Sequence, residues 1–311
     1  MIRYFINRLL QAIPVLFGVI IITFILMYVI PGDPVLSMVG ERYSEETIQR
    51  LREEMHLNDP VPIQFIRYVG NILQGDFGKS FITGEPVIVA IMEKFPNTMM
   101  LAIVAMFFAV LIGVTLGMIS SISPGSILDR GIMILALAGI SAPVFWVGLI
   151  LVLVVGVMLQ WLPPTGFGGV EYIILPALTL GLRSAAYLAR LTRSTMLEVL
   201  SQDYIRTARS KGLPEWKVFL KHAFPNTLIP VITVIGTDFG SYLSGAVLTE
   251  SIFGWPGIGR LALEAILKRD FPVIQGTVLF MAVMFVIMNV IVDLLYGVID
   301  PRIRMERSDK Q

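Results

Sequence analysis

The sequence predicts an all-α polytopic membrane protein with six transmembrane helices, and three observations carry that expectation. Hydrophobic residues fill 55% of the 311 positions and charged residues only 15%. Five or more uncharged apolar runs exceed the roughly 20 residues a helix needs to cross a bilayer. The polar segments between those runs differ in basic charge, as the loops on the two faces of a membrane do. Helices follow from the solvent, because a spanning segment must satisfy its own backbone hydrogen bonds in hydrocarbon.

The first apolar run covers residues 9–30, follows Arg3 and Arg8, and stops at Pro31, Gly32, Asp33 and Pro34. It is long for a signal peptide and lacks a small-residue cleavage site, so it reads as a retained anchor. Residues 31–96 are too polar for the membrane. Ser44 caps a helix with Ile48, Leu51 and Met55 inward, and a second helix starts at Pro62 and ends near Gly75. Span two is expected at 97–122, with Gly113 and Gly117 forming a small-residue face for close packing. Span three is expected at 131–160, broken or kinked at Pro143. Span four runs from about Tyr172 past Arg183 towards Arg190 and Arg193; span five covers 225–249 and span six 277–299. The Gly- and Pro-rich stretch 250–276 between the last two spans reads as a loop.

Six spans place both termini on one side of the membrane. That side carries fifteen Lys and Arg against nine on the other, which makes it cytoplasmic. The division expected is an N-terminal membrane helix (1–30), an extracytoplasmic helical segment (31–96), and a five-helix core (97–311) with a cytoplasmic loop at 197–225.

That loop contains the most specific stretch of the chain, residues 203–225. Tyr204, Ile205 and Ala208 share one helical face while Arg206 and Arg209 point elsewhere. Gly212 follows Lys211 as a helix-ending glycine, and Pro214 with Glu215 opens a second helix lined by Trp216, Phe219, Leu220 and Ala223. Two amphipathic helices joined by a glycine turn either lie on anionic lipid or dock a cytosolic partner.

The residues of this stretch also carry a resemblance. Tyr204, Ile205, Arg206, Thr207, Ala208, Arg209, Lys211 and Gly212, then His222, Ala223 and Asn226, resemble the "EAA" loop of ATP-binding-cassette (ABC) importer permeases of the oligopeptide/dipeptide/nickel family. The general pattern of that loop has a glutamate where Arg206 stands. Further matches are Gly75-Asp76-Phe77-Gly78 with Ser80, Ser141-Ala142-Pro143 with Phe145-Trp146, and Glu250-Ser251-Ile252-Phe253-Gly254-Trp255-Pro256-Gly257 with Gly259. The group Arg269-Asp270, Pro272 and Ile274-Gln275-Gly276 and the tail Asp293, Tyr296, Asp300-Pro301-Arg302 extend the likeness over nearly the whole chain. The resemblance implies a type I ABC importer permease core with a small extracytoplasmic insert after the first helix, the B-type subunit of a B/C permease heterodimer. It implies two ABC ATPase subunits that use ATP and Mg, an extracytoplasmic substrate-binding protein, and cargo such as di- and oligopeptides, nickel, glutathione or sugars. It makes Tyr204, Arg206, Ala208, Arg209, Gly212, Trp216 and Phe219 the ATPase-coupling face. It also makes Phe253, Trp255 and Pro256 binding-protein contacts, for which interfacial aromatic anchoring is the plainer reading.

No enzyme constellation emerges, and no metal site or bound cofactor is expected. Absence of cysteine excludes disulfides and thiol chemistry. Gly78-Lys79-Ser80 ends like a phosphate loop, but Leu73 stands where its first glycine belongs. His56 and His222 fall on opposite sides of the membrane. Energy must come from another subunit or from an ion gradient, so a stand-alone ion-coupled secondary transporter is the rival reading. A structural or signalling membrane subunit is a third. Arg183, Asp238 and Asp293 lie at or near membrane depth, where facing lipid costs about 3 kcal/mol or more. Asp238, between Gly236 and Gly240, and Arg183 are the expected residues of the translocation pathway.

Overall fold

The computed structural model of the chain describes residues 2–29, 35, 45–54 and 56–299, and among them every regular element is helical. The Pro-Gly-Asp-Pro motif at 31–34, the cap at Ser44 and the tail at 300–302 lie outside the described residues. Helix α1 is Ile2–Val29, α2 is Glu45–Glu54 and α3 is Val61–Leu73. Helix α4 is Val87–Ile122, ten residues longer at its start than the sequence suggests. The extension stays helical because Val87 and Ile91 are buried against Ile258, Val273 and Ile274.

The expected third span is not one kinked helix. Helix α5 (Ile127–Ser141) and α6 (Val144–Leu151, continued by wider π-helical turns over Val152–Met158) meet at 107°. Ala142, held extended by the proline after it, interrupts the helix, and Pro143 starts the next. Helix α7 is Glu171–Leu200 and α8 is Asp203–Ser210. A three-residue α9 (Glu215–Lys217) passes through π turns at Val218–Ala223 into α10 (Phe224–Leu243). Residues 250–276 are not a loop: α11 is Val247–Phe253, α12 is Ile258–Lys268, and α13 (Phe271–Ile299) begins six residues before the expected sixth span.

Among the described residues four helices are long and apolar enough to cross a membrane: α4, α7, the α9–α10 run and α13. The bent α5–α6 pair makes a fifth if it counts as one span, and α1 adds a shorter apolar stretch, Leu10–Ile25.

The core is the crossing of α4 and α7. Ala105, Ala109, Gly113 and Gly117 recur every four residues and are buried, so they form one stripe of small side chains. A Cβ on Gly113 would lie 2.5 Å from the Ala185 carbonyl oxygen, and one on Gly181 would lie 2.5 Å from that of Ala105. Backbone touches backbone, which is how helices gain packing where lipid supplies no hydrophobic drive. A second close crossing joins α10 to α13, where Gly236 meets Val292 and Gly240 meets Met288. Asp238, about 200° around the helix from Gly236, is thereby turned away from α13 and towards α7.

Candidate functional site

Two regions combine the predicted residues. The first is the elbow made by α8, α9 and the π turns. Ile205, Ala208, Val218 and Ala223 are buried around Met196 of α7, a small apolar cluster that seats the elbow on the end of the bundle. Gly212 turns the chain at φ +76°, a left-handed value that glycine adopts freely. Arg209 donates two hydrogen bonds to Glu215, at 2.9 and 3.1 Å, and so ties the helices on either side of the turn. Asn226 donates to the Tyr204 hydroxyl at 3.0 Å, and its amide also reaches the His222 carbonyl.

The elbow sorts its predicted residues into two groups. Ala208 is buried beneath it, while Arg209 spends two donors on Glu215 and stays 43% exposed. Tyr204, Arg206 and Trp216 are exposed and Phe219 is partly buried. Of the apolar side expected at Trp216, Phe219, Leu220 and Ala223, Trp216 is 63% and Leu220 52% exposed, Phe219 is partly buried, and Ala223 is buried together with Val218. The wider π turn puts Val218 and Ala223, five residues apart, on the same buried side.

A bidentate ion pair braces the same end of the bundle. Arg193 of α7 holds Asp129 at 2.5 and 2.7 Å; Ser120 and the Gly125 amide also donate to that carboxylate. Asp129 is 3% exposed, so α4, α5 and α7 converge on one buried charge. Sequence reasoning passed over it because Asp129 sits in what reads as a polar turn.

The second region is a cavity of about 710 Å³ between α5, α6, α7 and α10. Arg183 and Asp238 both line it, with Tyr187, Thr237 and Ser241. Arg183 lies about 18 Å along α7 from Glu171, and Asp238 about 21 Å along α10 from Phe224, at 1.5 Å per residue. Ser184 donates to Asp238 Oδ2 at 2.5 Å, and the Tyr242 hydroxyl, 2.5 Å from Ser184 and 3.0 Å from the Leu180 carbonyl, has one proton to share between those two acceptors. The structure therefore brings Arg183 and Asp238 to one cavity; Ser184, which the sequence did not single out, holds the carboxylate, and Tyr242 sits against Ser184.

Phe253 and Trp255 are not surface aromatics. They are 1% and 0% exposed, and Pro256 is partly buried. Trp255 Nε1 donates to the Asn97 carbonyl at 3.0 Å, and Asn97 returns a bond to Pro256 O at 2.9 Å. Glu250, fully buried, accepts from Thr98 at 2.8 Å and from the Arg260 amide at 2.9 Å. Burial pushes its carboxyl above the ordinary 4.5, against the downward pull of those bonds. A Cβ on Gly257 would fall 2.3 Å from Glu250, so the motif's glycines make room for this carboxylate. The Glu250–Gly259 signature is thus a lock joining α4, α11 and α12, and its aromatic residues pack rather than recognise.

Comparisons with known proteins agree with this architecture. A chain of the MetNI methionine ABC transporter, solved in inward-facing conformations, superposes with a TM-score of 0.59 at 16% identity, covering 68% of this chain and 97% of that one. Among relatives in sequence, a putative peptide transport system permease protein of Brucella abortus is 44% identical over 96% of this chain and 98% of its own. The di/tripeptide transport system permease DppB of Pseudomonas aeruginosa is 43% identical over 99% and 100%, and the glutathione transport system permease GsiC of Escherichia coli 41% over 98% and 99%. Nothing among them supports a self-sufficient ion-coupled transporter. Residues 1–102 match the N-terminal region of binding-protein-dependent transport system membrane components, and residues 113–305 match the "binding-protein-dependent transport system inner membrane component" family. The chain belongs to that family, as a multi-pass inner-membrane permease of an ABC importer.

Proposed function

We propose that this chain is the B-type half of a permease heterodimer that imports peptides, with both termini in the cytoplasm and the elbow at 203–223 seated in an ATPase subunit. A homologous C-type permease completes the pathway, two ABC ATPases supply the work from ATP and Mg, and an extracytoplasmic binding protein delivers cargo. The observation that carries this reading is the elbow: a rigid turn on a buried apolar seat whose outer surface presents Trp216, Tyr204 and Arg206. Large aromatic and arginine side chains on a fixed scaffold are the usual anchors of a protein interface. Phe219 flanks that surface, Gly212 sets its angle, Arg209 braces the turn through Glu215, and Ala208 is buried beneath.

Peptide cargo is favoured by the relatives, two of which are named as peptide or di/tripeptide permeases. Arg183 and Asp238 line the solute's path in this reading. On the opposite end, binding-protein contact passes from Phe253 and Trp255 to the exposed Phe167, which stacks edge-on against Trp255 at 4.9 Å, and to the accessible part of Pro256. In this reading residues 1–30 form an N-terminal membrane helix, 31–96 an extracytoplasmic helical segment and 97–311 the five-helix core with its cytoplasmic loop at 197–225.

The test is uptake of a radiolabelled tripeptide by proteoliposomes holding the whole transporter. Uptake is expected to require the ATPases, internal ATP and external binding protein, and Trp216→Ala is expected to lower it at least tenfold with normal membrane insertion. Uptake driven by an ion gradient without any ATPase subunit would refute the proposal.

A further inference from the structure

Arg183 and Asp238 are opposite charges at membrane depth that face the same open cavity and do not pair with each other. No carboxylate lies within ion-pair distance of Arg183 among the described residues, and its side chain is exposed to the cavity. Asp238 is pinned through one oxygen only: Ser184 holds Oδ2, while Oδ1 has no hydrogen-bond partner among the described residues. Two unpaired charges at this depth are costly unless water, a partner or a solute compensates them. The rest of the lining gives no comparable handle. Ile140, Val144, Leu180 and Val234 are apolar, and Tyr187, Thr237 and Ser241 offer neutral hydroxyls. A volume of about 710 Å³ falls within the roughly 300–1,000 Å³ typical of small-ligand pockets.

The geometry points to a dipolar subsite for a zwitterion, in which Arg183 takes the carboxylate terminus and Asp238 the ammonium terminus of a short peptide. The subsite rests on the peptide-import reading and deepens it. Guanidinium matches carboxylate as a bidentate donor, and a carboxylate fixed by Ser184 presents its free oxygen to an ammonium group at little ordering cost. Apolar walls with scattered hydroxyls tolerate varied side chains, so termini rather than residues are read. Both charges are compensated only while the solute is present, which gives a passing peptide a resting point without a deep trap.

The experiment measures equilibrium binding of radiolabelled trialanine to the complete permease–ATPase complex in nanodiscs without binding protein, alongside N-acetyl-trialanine and trialanine amide. Wild type is expected to bind trialanine at least tenfold more tightly than either blocked form. Arg183→Gln is expected to abolish discrimination against the amide while keeping that against the acetylated peptide; Asp238→Asn is expected to do the reverse. No saturable trialanine binding in wild type overturns the subsite. So does an equal loss for all three peptides in either variant, which is the result if these charges pair with the other permease subunit or only support folding. ATP-driven uptake by the wild-type complex, measured in parallel, separates the two levels. Uptake without terminus preference sinks the subsite alone, and absence of ATP-driven uptake sinks the functional reading beneath it.

Discussion

Replacing Gly212 isolates one variable, the handedness of the elbow. Its φ is +76°, and a Cβ added there would meet nothing within 4 Å, so a side chain adds backbone strain without a clash. An L-residue in the left-handed region costs about 1–2 kcal/mol, and a β-branched residue more. The interactions holding the turn shut are modest. The Gly212 amide donates to Arg209 O at 2.9 Å and the Leu213 amide to Ala208 O at 3.4 Å. The Arg209–Glu215 pair is 43% and 63% exposed, and exposed pairs contribute only about 0.2–1 kcal/mol. The valine penalty therefore exceeds what the clamp returns, and the angle at the turn is expected to change while the buried cluster around Met196 keeps the elbow on its seat. In the reconstituted transporter Gly212→Val is expected to lower the ratio of solute transported to ATP hydrolysed by about tenfold, since about 1.4 kcal/mol is one decade. Gly212→Asn, which tolerates the left-handed region, is expected to stay near wild type, with Gly212→Ala between them. Wild-type coupling in the valine variant would refute the reasoning, as would an asparagine variant as damaged as valine.

Other expectations follow from the same structure. Arg193→Met strands the buried Asp129 and is expected to cost about 3–5 kcal/mol in unfolding of the detergent-solubilised protein; Arg193→Met with Asp129→Asn should recover part of it. Glu250→Gln puts an amide NH2 where an oxygen accepts a hydrogen bond, and the unmet bond should cost about 1–3 kcal/mol. Because burial raises the folded-state value of Glu250, its contribution is full below the ordinary 4.5 and declines as pH rises through the folded value. Thermal unfolding of Glu250→Gln between pH 4.5 and 8 should therefore fall less steeply with pH than wild type. Gly113→Ala is expected to destabilise by about 1–3 kcal/mol through its contact with the Ala185 carbonyl, whereas Gly131→Ala, with open space around it, should be neutral or better.

The sequence was most legible where one physical rule acts alone. Bilayer thickness against the length of an apolar run identified the helical class, and glycines at 113 and 117 marked the α4–α7 crossing, because only backbone approach rewards that spacing. The elbow at Gly212 was legible because a left-handed turn selects its residue. The burial of Val218 with Ala223 was not legible, because the choice of π over α turns depends on how the segment meets Met196 and α10, which leaves no periodic signal in the chain.

Composition and local pattern thus determined that this protein is helical, membrane-embedded and equipped with a basic elbow, since hydropathy and turn chemistry are properties of short segments. Only the tertiary structure decided that Phe253, Trp255 and Glu250 form an internal lock, that Arg193 neutralises Asp129, and that Arg183 and Asp238 share one cavity. Each of these joins residues far apart in the chain: Trp255 is bonded to Asn97 across 158 positions, Glu250 to Thr98 across 152 and Arg193 to Asp129 across 64. Contacts between separate helices are set by how those helices cross, and no local rule encodes that.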